Sequence, residues 1–253
     1  MIIEKPQIPE DNCIDLSDLD AAVYRVFSVE RFVETLRTRR LTLTRPHLWD
    51  DPFENFLYQA HLESTDGSPV SVSGLRMRLY GQCWSLLDES DAMWRIYSPH
   101  KTGVKVRTTV RKLISAVYDR PDRFASLKYF IGRVSYKSEK ELLAIFSNPT
   151  DYIAALTDAS ARGPVHALLL KRREFEHEKE VRLIYQSSED VPDDYALCPI
   201  DPLALFDEVV FDPRMSIFSF EAFSTYIKAQ GFIKSISRSR LYQLPEISRK
   251  IVI

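Results

Sequence analysis

Hydrophobic and polar positions in the opening segment predict a strand, a helix and a second strand. Residues 21–28 form an apolar, aromatic and β-branched run that is typical of a strand. Residues 29–38 then carry apolar side chains at helical spacing, with Ser28 as the expected N-cap. Residues 40–46 alternate again and end at a proline, which favours a strand edge.

The same patterns predict further elements in mixed order. Strands are expected at 78–86, from 103, at 127–137, 175–186, near Ala196, at 207–213 and 233–244. Helices are expected from Pro52, around Met93, Trp94 and Tyr97, around Leu113 and Val117, and at 138–147, 151–160, 164–174 and 216–231. The order lacks a strict strand–helix–strand rhythm. It therefore predicts a single compact α+β domain over 20–253, with flanking helices and a central mixed or antiparallel sheet, intact or split. Residues 1–19 lack periodicity and are predicted to form an N-terminal arm.

The central candidate is the predicted strand at 175–186. Alternate side chains of a strand point to opposite faces, which places Glu178, Glu180 and Arg182 together on one face. Such a face is either solvated, with the arginine pairing one glutamate, or it forms the floor of a cleft. In a cleft the two carboxylates would lie roughly 7 Å apart. One could stay ionised beside Arg182 while burial tunes the other.

The acidic sequence at 49–54 allows two interpretations. Asp50, Asp51 and Glu54 surround Pro52, and negative charge is favourable at the start of a helix. The alternative is that these carboxylates contact a metal ion or a ribose near the central strand. The sequence does not choose between these roles.

Aromatic residues and one strand arginine complete the candidate site. Trp84, Trp94 and Tyr97 are either core residues or an aromatic wall for a flat ring. Cys83 is interpreted as a buried structural thiol, since no histidine neighbours it in the sequence. Arg25 is flanked by apolar residues, so its charge must be paired or must reach the edge of a pocket. A carboxylate partner, Glu178 or Glu180, is expected for it.

Composition excludes several classes of protein. The 253 residues include 34 basic and 36 acidic side chains, and this net charge of −2 gives no electrostatic signature for bulk nucleic acid or an anionic membrane. Three widely spaced cysteines fit neither a disulfide framework nor a metal motif, which favours a cytoplasmic location. The start of the chain does not resemble a signal peptide, and no apolar run is long enough to span a membrane. The common glycine-rich phosphate loops are also missing from the sequence.

Several motifs together resemble a known bacterial family. In order, they are YRVFS, RLTLTRPHLWDDPFE, CWS with MWRIYS and GVKV, FEHEKEVRLI, DEVVFDP and RSRLYQL. They are similar to the family catalogued as domain of unknown function 2971, over about residues 22–245. The family name implies no activity.

The order of three residue types also resembles the ADP-ribosyltransferases of the arginine–serine–glutamate type. The resemblance implies that Arg25 contacts a phosphate or ribose of NAD and that Ser85 orders the nicotinamide pocket. It implies that Glu180 holds the nicotinamide ribose and stabilises the oxocarbenium-like transition state, while Glu178 orients the acceptor. The family often shows Ser-Thr-Ser where this chain has Cys83-Trp84-Ser85.

Three functions follow as hypotheses. The first is an NAD-using transferase or glycohydrolase-like enzyme, with NAD as substrate and a protein or nucleic-acid acceptor left open. The second is a metal-dependent phosphodiesterase or nuclease using the carboxylates at 50–54 and 178–180. The third is a non-enzymatic interaction protein. The first predicts that Arg25 and a glutamate line one concave site, with binding residues that also include Ser85, Trp94, Tyr97 and Arg182.

Overall fold

The secondary structure follows the predicted α+β order. A computed structural model describes residues 8–49, 51, 53–54, 62–63, 66, 68–70, 78–118, 125–148, 153–154, 162–188 and 192–245. In chain order the strands β1 to β14 are Cys13–Ile14, Ala22–Ser28, Arg40–Thr44, Leu62–Glu63, Pro69–Val70, Leu79–Ser85, Gly103–Thr109, Tyr129–Arg133, Ser135–Lys137, Leu170–Arg172, Glu180–Gln186, Tyr195–Pro199, Glu208–Phe211 and Ser235–Arg238. The α-helices α1 to α7 are Val29–Thr38, Asp91–Tyr97, Val110–Tyr118, Glu139–Ala144, Arg162–Ala167, Pro202–Leu205 and Ile217–Ala229.

Ten strands form one central mixed sheet, which confirms the predicted fold class. The hydrogen-bonded path runs β1-β8-β11-β6-β2-β7-β13-β14, and β3 joins it through β6 while pairing with β12. The β1–β8 and β13–β14 pairs are parallel, and the other neighbours on this path are antiparallel. The strands that carry Arg25, Ser85 and Glu180 are therefore direct neighbours in the sheet.

Strand β6 forks the sheet into two branches. The C-terminal end of β6 pairs with β2 through one residue pair, Ser85 with Tyr24. Closer to its N-terminal end, β6 pairs with β3 through one residue pair, Gly81 with Thr44. Between these two contacts, no strand of the described residues pairs with the edge of β6 that faces β2 and β3. The sheet is therefore split along β6, and this split opens the space in which the site lies.

Local sequence explains how helix α1 covers the sheet. The Ser28 hydroxyl accepts a hydrogen bond from the Arg31 amide at 3.4 Å and caps the first turn. Val29, Phe32 and Leu36 recur at helical spacing and are buried against the strands, where they join the main core cluster. This packing fixes β2 and β3 on either side of the split.

Two predicted elements are wrong. The helix expected at 164–174 ends at Ala167, and the apolar residues that follow, Leu168 and Leu169, are buried in a second core cluster. The chain then continues as β10 and a 3-10 segment, Arg173–Glu178. The strand expected at 127–137 breaks at Val134, since β9 leaves the main sheet and pairs in parallel with β10. The expected helices from Pro52 and at 151–160 lie outside the described residues or almost entirely so.

The segment predicted as an N-terminal arm contributes to the sheet. Strand β1 lies within it and pairs with β8 at the sheet edge. Buried Asn12 donates hydrogen bonds to the carbonyls of Ser126 and Tyr129, at 2.8 and 2.7 Å. Across the described part of the chain, every helix is too short or too polar to cross a membrane.

Candidate functional site

The split of the sheet holds a pocket of about 360 Å³. Its walls come from β2, β6, helix α2 and the residues that lead into β11. The lining residues are Tyr24, Arg25, Val26, Cys83, Trp84, Ser85, Met93, Tyr97, Glu178 and Glu180. A wider cleft of about 1020 Å³ adjoins this pocket and shares Arg25, Tyr97 and both glutamates with it. The structure thus brings together five of the seven residues predicted for the site.

Glu180 is the first residue of β11, and its carboxylate is held by two cations. Arg182 Nε donates to Glu180 Oε2 at 2.7 Å, and Lys171 Nζ donates to Glu180 Oε1. The residue is only 4% exposed. Burial opposes ionisation, but the charge of Arg182, a hydrogen bond from Glu178 and the charge of Lys171 hold the pKa of Glu180 well below its usual range. This carboxylate is therefore ionised at neutral pH.

Glu178 lies beside Glu180 but outside the strand. It ends the 3-10 segment, and Lys179 then adopts a left-handed conformation with φ of 44° before the strand begins. The Tyr97 hydroxyl donates to Glu178 Oε1 at 3.0 Å, and Lys171 bonds the other oxygen. Burial, followed by the hydrogen bond and charge of Glu180, raises the pKa of Glu178 to about 7. The pair therefore combines one ionised carboxylate with one that titrates near neutral pH.

The burial of these residues rules out a solvated charged face. Glu178, Glu180 and Arg182 all lie in the interior. The expectation that one strand face would carry all three is also wrong. Glu178 reaches Glu180 through the Lys179 turn, since the strand starts two residues after it.

Arg182 lies behind Glu180, away from both cavities. Its guanidinium pairs with Glu54 and Glu180, donates to the Leu168 carbonyl at 2.6 Å, and stacks 4.6 Å from the Trp49 ring centroid. The prediction placed Arg182 among the ligand-binding residues, but it lines neither the pocket nor the wider cleft. Its position supports the Glu180 carboxylate from the protein interior.

The absence of a side chain at Gly81 makes room for Trp49. A Cβ atom on Gly81 would lie 2.6 Å from Trp49 Cζ2, which is too close for two carbon atoms. The tryptophan ring can therefore approach the β6 backbone closely while it contacts the Arg182 guanidinium.

Arg25 has no carboxylate partner within ion-pair distance among the described residues. Its Nη1 donates to the Cys83 carbonyl, and its guanidinium lies 5.9 Å from the Phe27 ring centroid. The predicted pairing with Glu178 or Glu180 is therefore absent, although all three residues line one pocket. Burial lowers the pKa of Arg25, and the nearby charge of Glu180 opposes this shift without forming an ion pair.

Ser85 uses its hydroxyl to fix the turn before Glu180. It donates to the Glu178 carbonyl at 2.6 Å and accepts from the Leu87 amide at 2.9 Å. The neighbouring Cys83 thiol has its pKa raised by burial, so it stays protonated and is a poor nucleophile. Ser85 thus lines the pocket and positions the carboxylate pair from β6.

The two aromatic residues predicted for the binding site, Trp94 and Tyr97, lie in different environments. Tyr97 is 40% exposed, and its ring forms a wall of the pocket while its hydroxyl bonds Glu178. Trp94 is buried against Val26 and Val210, and its Nε1 donates to Glu89 Oε1 at 2.7 Å. It lines a smaller adjacent cavity and does not face the carboxylate pair. Of these two residues, Tyr97 is the one that could contact a ligand beside Glu178.

Lys171 and Tyr136 contact the carboxylate pair but were not predicted as site residues from the sequence. Lys171 is buried among Glu54, Glu178 and Glu180, and the Tyr136 hydroxyl accepts from the Glu180 amide at 2.8 Å. One signal was available, because Lys171 directly follows the apolar run Ala-Leu-Leu-Leu at 167–170 and continues the buried pattern. No comparable signal marks Tyr136.

In the acidic segment at 49–54, the described carboxylates of Asp51 and Glu54 are engaged in ion pairs. Arg172 pairs with Asp51 at 2.9 Å, and Lys171 lies 3.2 Å from Glu54. The described part of the chain contains no group of three histidine, cysteine or acidic side chains arranged to hold a metal ion. Asp50 lies outside the described residues.

The fold is similar to solved structures of DarT from Thermus sp. 2.9. The complex with NAD+ gives a TM-score of 0.41 and 11% identity, covering 89% of this chain and 98% of that chain. The complex with carba-NAD+ gives 0.39 and 13%, covering 88% and 97%. The complex with ADP-ribosylated ssDNA gives 0.41 and 12%, covering 93% and 98%.

Comparison by sequence locates the family. A search of curated proteins finds no significant match to this chain. Residues 93–183 match the model described as "Protein of unknown function (DUF2971)", a stretch that runs from helix α2 through Glu178 and Glu180. The matched family is the one that the sequence motifs resemble, and the match extends over this stretch of the chain.

Proposed function

We propose that the chain is an NAD-using enzyme of the ADP-ribosyltransferase or NAD-glycohydrolase type. One observation carries the proposal. A half-buried arginine that forms no ion pair with a carboxylate of the described residues, Arg25, lines the same pocket as a buried pair of carboxylates, Glu178 and Glu180. The pocket therefore offers an anion site and a cation-stabilising site side by side, as a ligand with a diphosphate and a reacting sugar requires.

The binding half of the proposal rests on Arg25 and Tyr97. A guanidinium forms bidentate hydrogen bonds with phosphate oxygens, and within the described part of the chain Arg25 forms no ion pair that would compete. The partly exposed Tyr97 ring offers a flat surface on which the nicotinamide ring could stack. The pocket adjoins the wider cleft and shares Arg25, Tyr97 and both glutamates with it, so a ligand could extend from one into the other.

The first chemical step would use Glu180. The bond between the ribose C1′ atom and the nicotinamide nitrogen breaks, and its electron pair returns to the nicotinamide ring. Positive charge then develops on the sugar. The ionised Glu180, fixed by Lys171 and Arg182, would stabilise that charge without rearranging.

The second step would use Glu178. Water or an acceptor nucleophile attacks C1′, and the ionised form of Glu178 takes the proton that the nucleophile loses. A pKa raised by burial to about 7 suits this role, because a general base works best when its pKa lies near the operating pH. The two carboxylates would thus have different roles, because their different surroundings keep Glu180 ionised and let Glu178 titrate near neutral pH.

The test is the release of nicotinamide from NAD, followed by chromatography. Glu180→Gln should lower the rate about 10²- to 10³-fold, the loss typical of one preorganised electrostatic contact. The matched control is Glu176→Gln, an exposed residue of the same 3-10 segment, which should retain the wild-type rate. If wild-type protein neither consumes NAD nor gains thermal stability from it, the proposal fails.

The other two functions have less support. A metal-dependent phosphodiesterase needs free carboxylates, whereas Asp51, Glu54 and Glu180 are engaged by arginine and lysine. A non-enzymatic interaction protein would be favoured if the sheet had no cleft beside Glu180. The structure has a cleft there, so this hypothesis loses its supporting observation.

A further inference from the structure

The small sheet formed by β9 and β10 faces the carboxylate pair with two side chains. Tyr136 on β9 and Lys171 on β10 are direct partners in the parallel register. Both side chains reach Glu180. The Lys171 ammonium bonds its carboxylate, and the Tyr136 hydroxyl accepts from its backbone amide at 2.8 Å. A separate element therefore contacts the same glutamate at two points.

The break between β8 and β9 explains why Tyr136 is needed. The main sheet pairing ends where the Val134 amide donates to the Glu180 carbonyl at 3.0 Å. Beyond that residue, β9 turns away to pair with β10, so no strand carbonyl is positioned for the Glu180 amide. The Tyr136 hydroxyl supplies the missing acceptor. The backbone of Glu180 is thereby fixed at the first residue of β11.

Lys171 touches every carboxylate of the cluster. Its ammonium lies 3.2 Å from Glu54 and bonds both Glu178 and Glu180. The cluster contains three carboxylates but only two cations, Lys171 and Arg182. Arg182 bonds Glu180 and Glu54, so Lys171 is the one lysine or arginine that bonds Glu178 among the described residues. Loss of Lys171 would leave the Glu178 carboxylate without a cationic partner.

We propose that Lys171 and Tyr136 are positioning residues of the active site. The small sheet holds the Glu180 backbone through Tyr136, while Lys171 sets the distance between the two carboxylates and the charge that each carries. The inference rests on the proposed function, since it assigns both residues to the reaction of Glu178 and Glu180. It adds residues that lie outside the arginine, serine and glutamate positions.

The protonation of Glu178 also depends on groups from other elements. The titratable and charged groups that face the pair are Glu54, Arg25 on β2, Cys83 on β6, Tyr97 on α2, Tyr136 on β9, Lys171 on β10 and Arg182 on β11. Of these, Lys171 lowers the pKa of Glu178 directly, through a hydrogen bond and its charge. Its removal should shift the pH at which Glu178 titrates upward.

The test compares Lys171→Met with Lys171→Arg and Tyr136→Phe. Lys171→Met should lower kcat about 10²-fold, the loss typical of misplaced reacting groups, and move the acidic limb of the kcat profile to higher pH. Lys171→Arg should restore much of the rate and move the limb back. Tyr136→Phe should lower kcat roughly 5- to 10-fold, the loss of one neutral hydrogen bond, without moving the limb. The KM for NAD should stay within about threefold in all variants, because Arg25 is untouched.

Two readouts do not require turnover. Carbon-13 NMR of labelled glutamate, assigned with Glu178→Gln, follows the Glu178 titration, which should move to higher pH in Lys171→Met. Hydrogen exchange of the Glu180 amide should accelerate in Tyr136→Phe. Matched controls on helix α7, Lys228→Met and Tyr226→Phe, should leave all readouts unchanged, since neither residue lines the site.

A folding failure of Lys171→Met is handled by a charge-matched variant. Lys171→Met with Glu54→Gln removes one cation and one anion together, so the buried cluster keeps its net charge. The proposal is overturned if this variant or Lys171→Met has wild-type kcat and an unmoved Glu178 titration. If wild-type protein shows no NAD turnover while the Glu178 titration still shifts, the proposed function fails and the link from Lys171 to Glu178 stands.

Discussion

Two buried charge clusters in this protein differ in composition and surroundings. Asp212 accepts hydrogen bonds from Ser98 Oγ at 2.6 Å, Arg214 Nε at 2.9 Å and the Arg214 amide at 2.7 Å. Arg214 also donates to the carbonyls of Trp94 and Ser98, which ties helix α2 to the end of β13. One anion meets one cation, and neither lines the pocket beside Glu180.

The cluster around Glu180 is unbalanced and open to a cavity. Three carboxylates meet two cations, and both Glu178 and Glu180 line the pocket that also contains Arg25. A closed, balanced pair stabilises the fold, whereas surplus charge beside a cavity is available to a ligand. Burial of charge is common to both clusters, so the imbalance and the cavity are what identify the site.

The largest expected effect comes from breaking the balanced cluster. Asp212→Ala leaves the Arg214 charge without its partner and should lower the free energy of unfolding by about 3–5 kcal/mol, as for other broken buried pairs. Urea denaturation measures the loss. Asp20→Ala, which removes an exposed partner of Arg111, is the control and should leave stability nearly unchanged. Equal losses in the two variants would contradict the structural role of Asp212.

Arg25→Met tests a charged residue that is expected to contribute to ligand binding and little to stability. Arg25 has no carboxylate partner, so its replacement by an apolar side chain should change the free energy of unfolding by less than about 1 kcal/mol. NAD affinity should nevertheless fall about 10- to 10²-fold, as expected when one charge-assisted contact is lost. Calorimetry gives both values, and Arg37→Met on the exposed face of α1 serves as control. A large loss of stability with unchanged affinity would make Arg25 structural.

The pH dependence of stability should distinguish the two glutamates. Folding raises the pKa of Glu178 to about 7, so the folded state binds a proton that the unfolded state releases, and this contribution to stability is lost as pH rises from about 4.5 to 7. Glu178→Gln should therefore gain stability relative to wild type across this window, by less than about 1.4 kcal/mol per pH unit. Folding lowers the pKa of Glu180, so its ionised carboxylate stabilises the folded state above the unfolded pKa, and this contribution is lost as pH falls. Glu180→Gln should therefore be less stable than wild type, and the difference should shrink at acidic pH. Urea titrations at several pH values decide the signs.

Two serines give the smallest contrast. Ser85→Ala removes one hydrogen bond to a carbonyl and should cost about 1 kcal/mol of stability. Ser98→Ala removes a bond to the ionised Asp212 and should cost about 1.5–3 kcal/mol. Only Ser85→Ala should also slow nicotinamide release per folded molecule, since it loosens the Glu178 turn. Equal slowing in both variants would mean that the two clusters are not functionally distinct.

Residues within regular strands could be predicted well from the sequence. Arg25 and Ser85 fall in strands that the residue pattern identified, and in the structure β6, which carries Ser85, lies between β2 and β11. The helix with Met93, Trp94 and Tyr97 was also recognisable from its spacing, and in the structure the Ser90 hydroxyl caps it. Local pattern determines these elements because each buries one face against the sheet.

Long-range partners could not be predicted. The segment around Lys171 was assigned to a helix, because an apolar run of this length fits a buried helix and a buried strand equally well. The pairing of Glu54 with Arg182 joins positions far apart in the chain, and no local pattern encodes it. Similarly, helical spacing predicted helix α2 but could not show which of its faces lines the cavity. The orientation of α2 is set by the packing of Trp94 against Val26 and Val210.

The split along β6 gives the protein a reporter of its own occupancy. In a strand the N–H and C=O of one residue point the same way, and the Cys83 carbonyl points at Arg25 across the gap. The Cys83 amide therefore also faces the gap, while amides directed at β11 are protected as in any central strand. A ligand seated in the split would cover this edge of β6 and should slow deuterium uptake at the Cys83 amide.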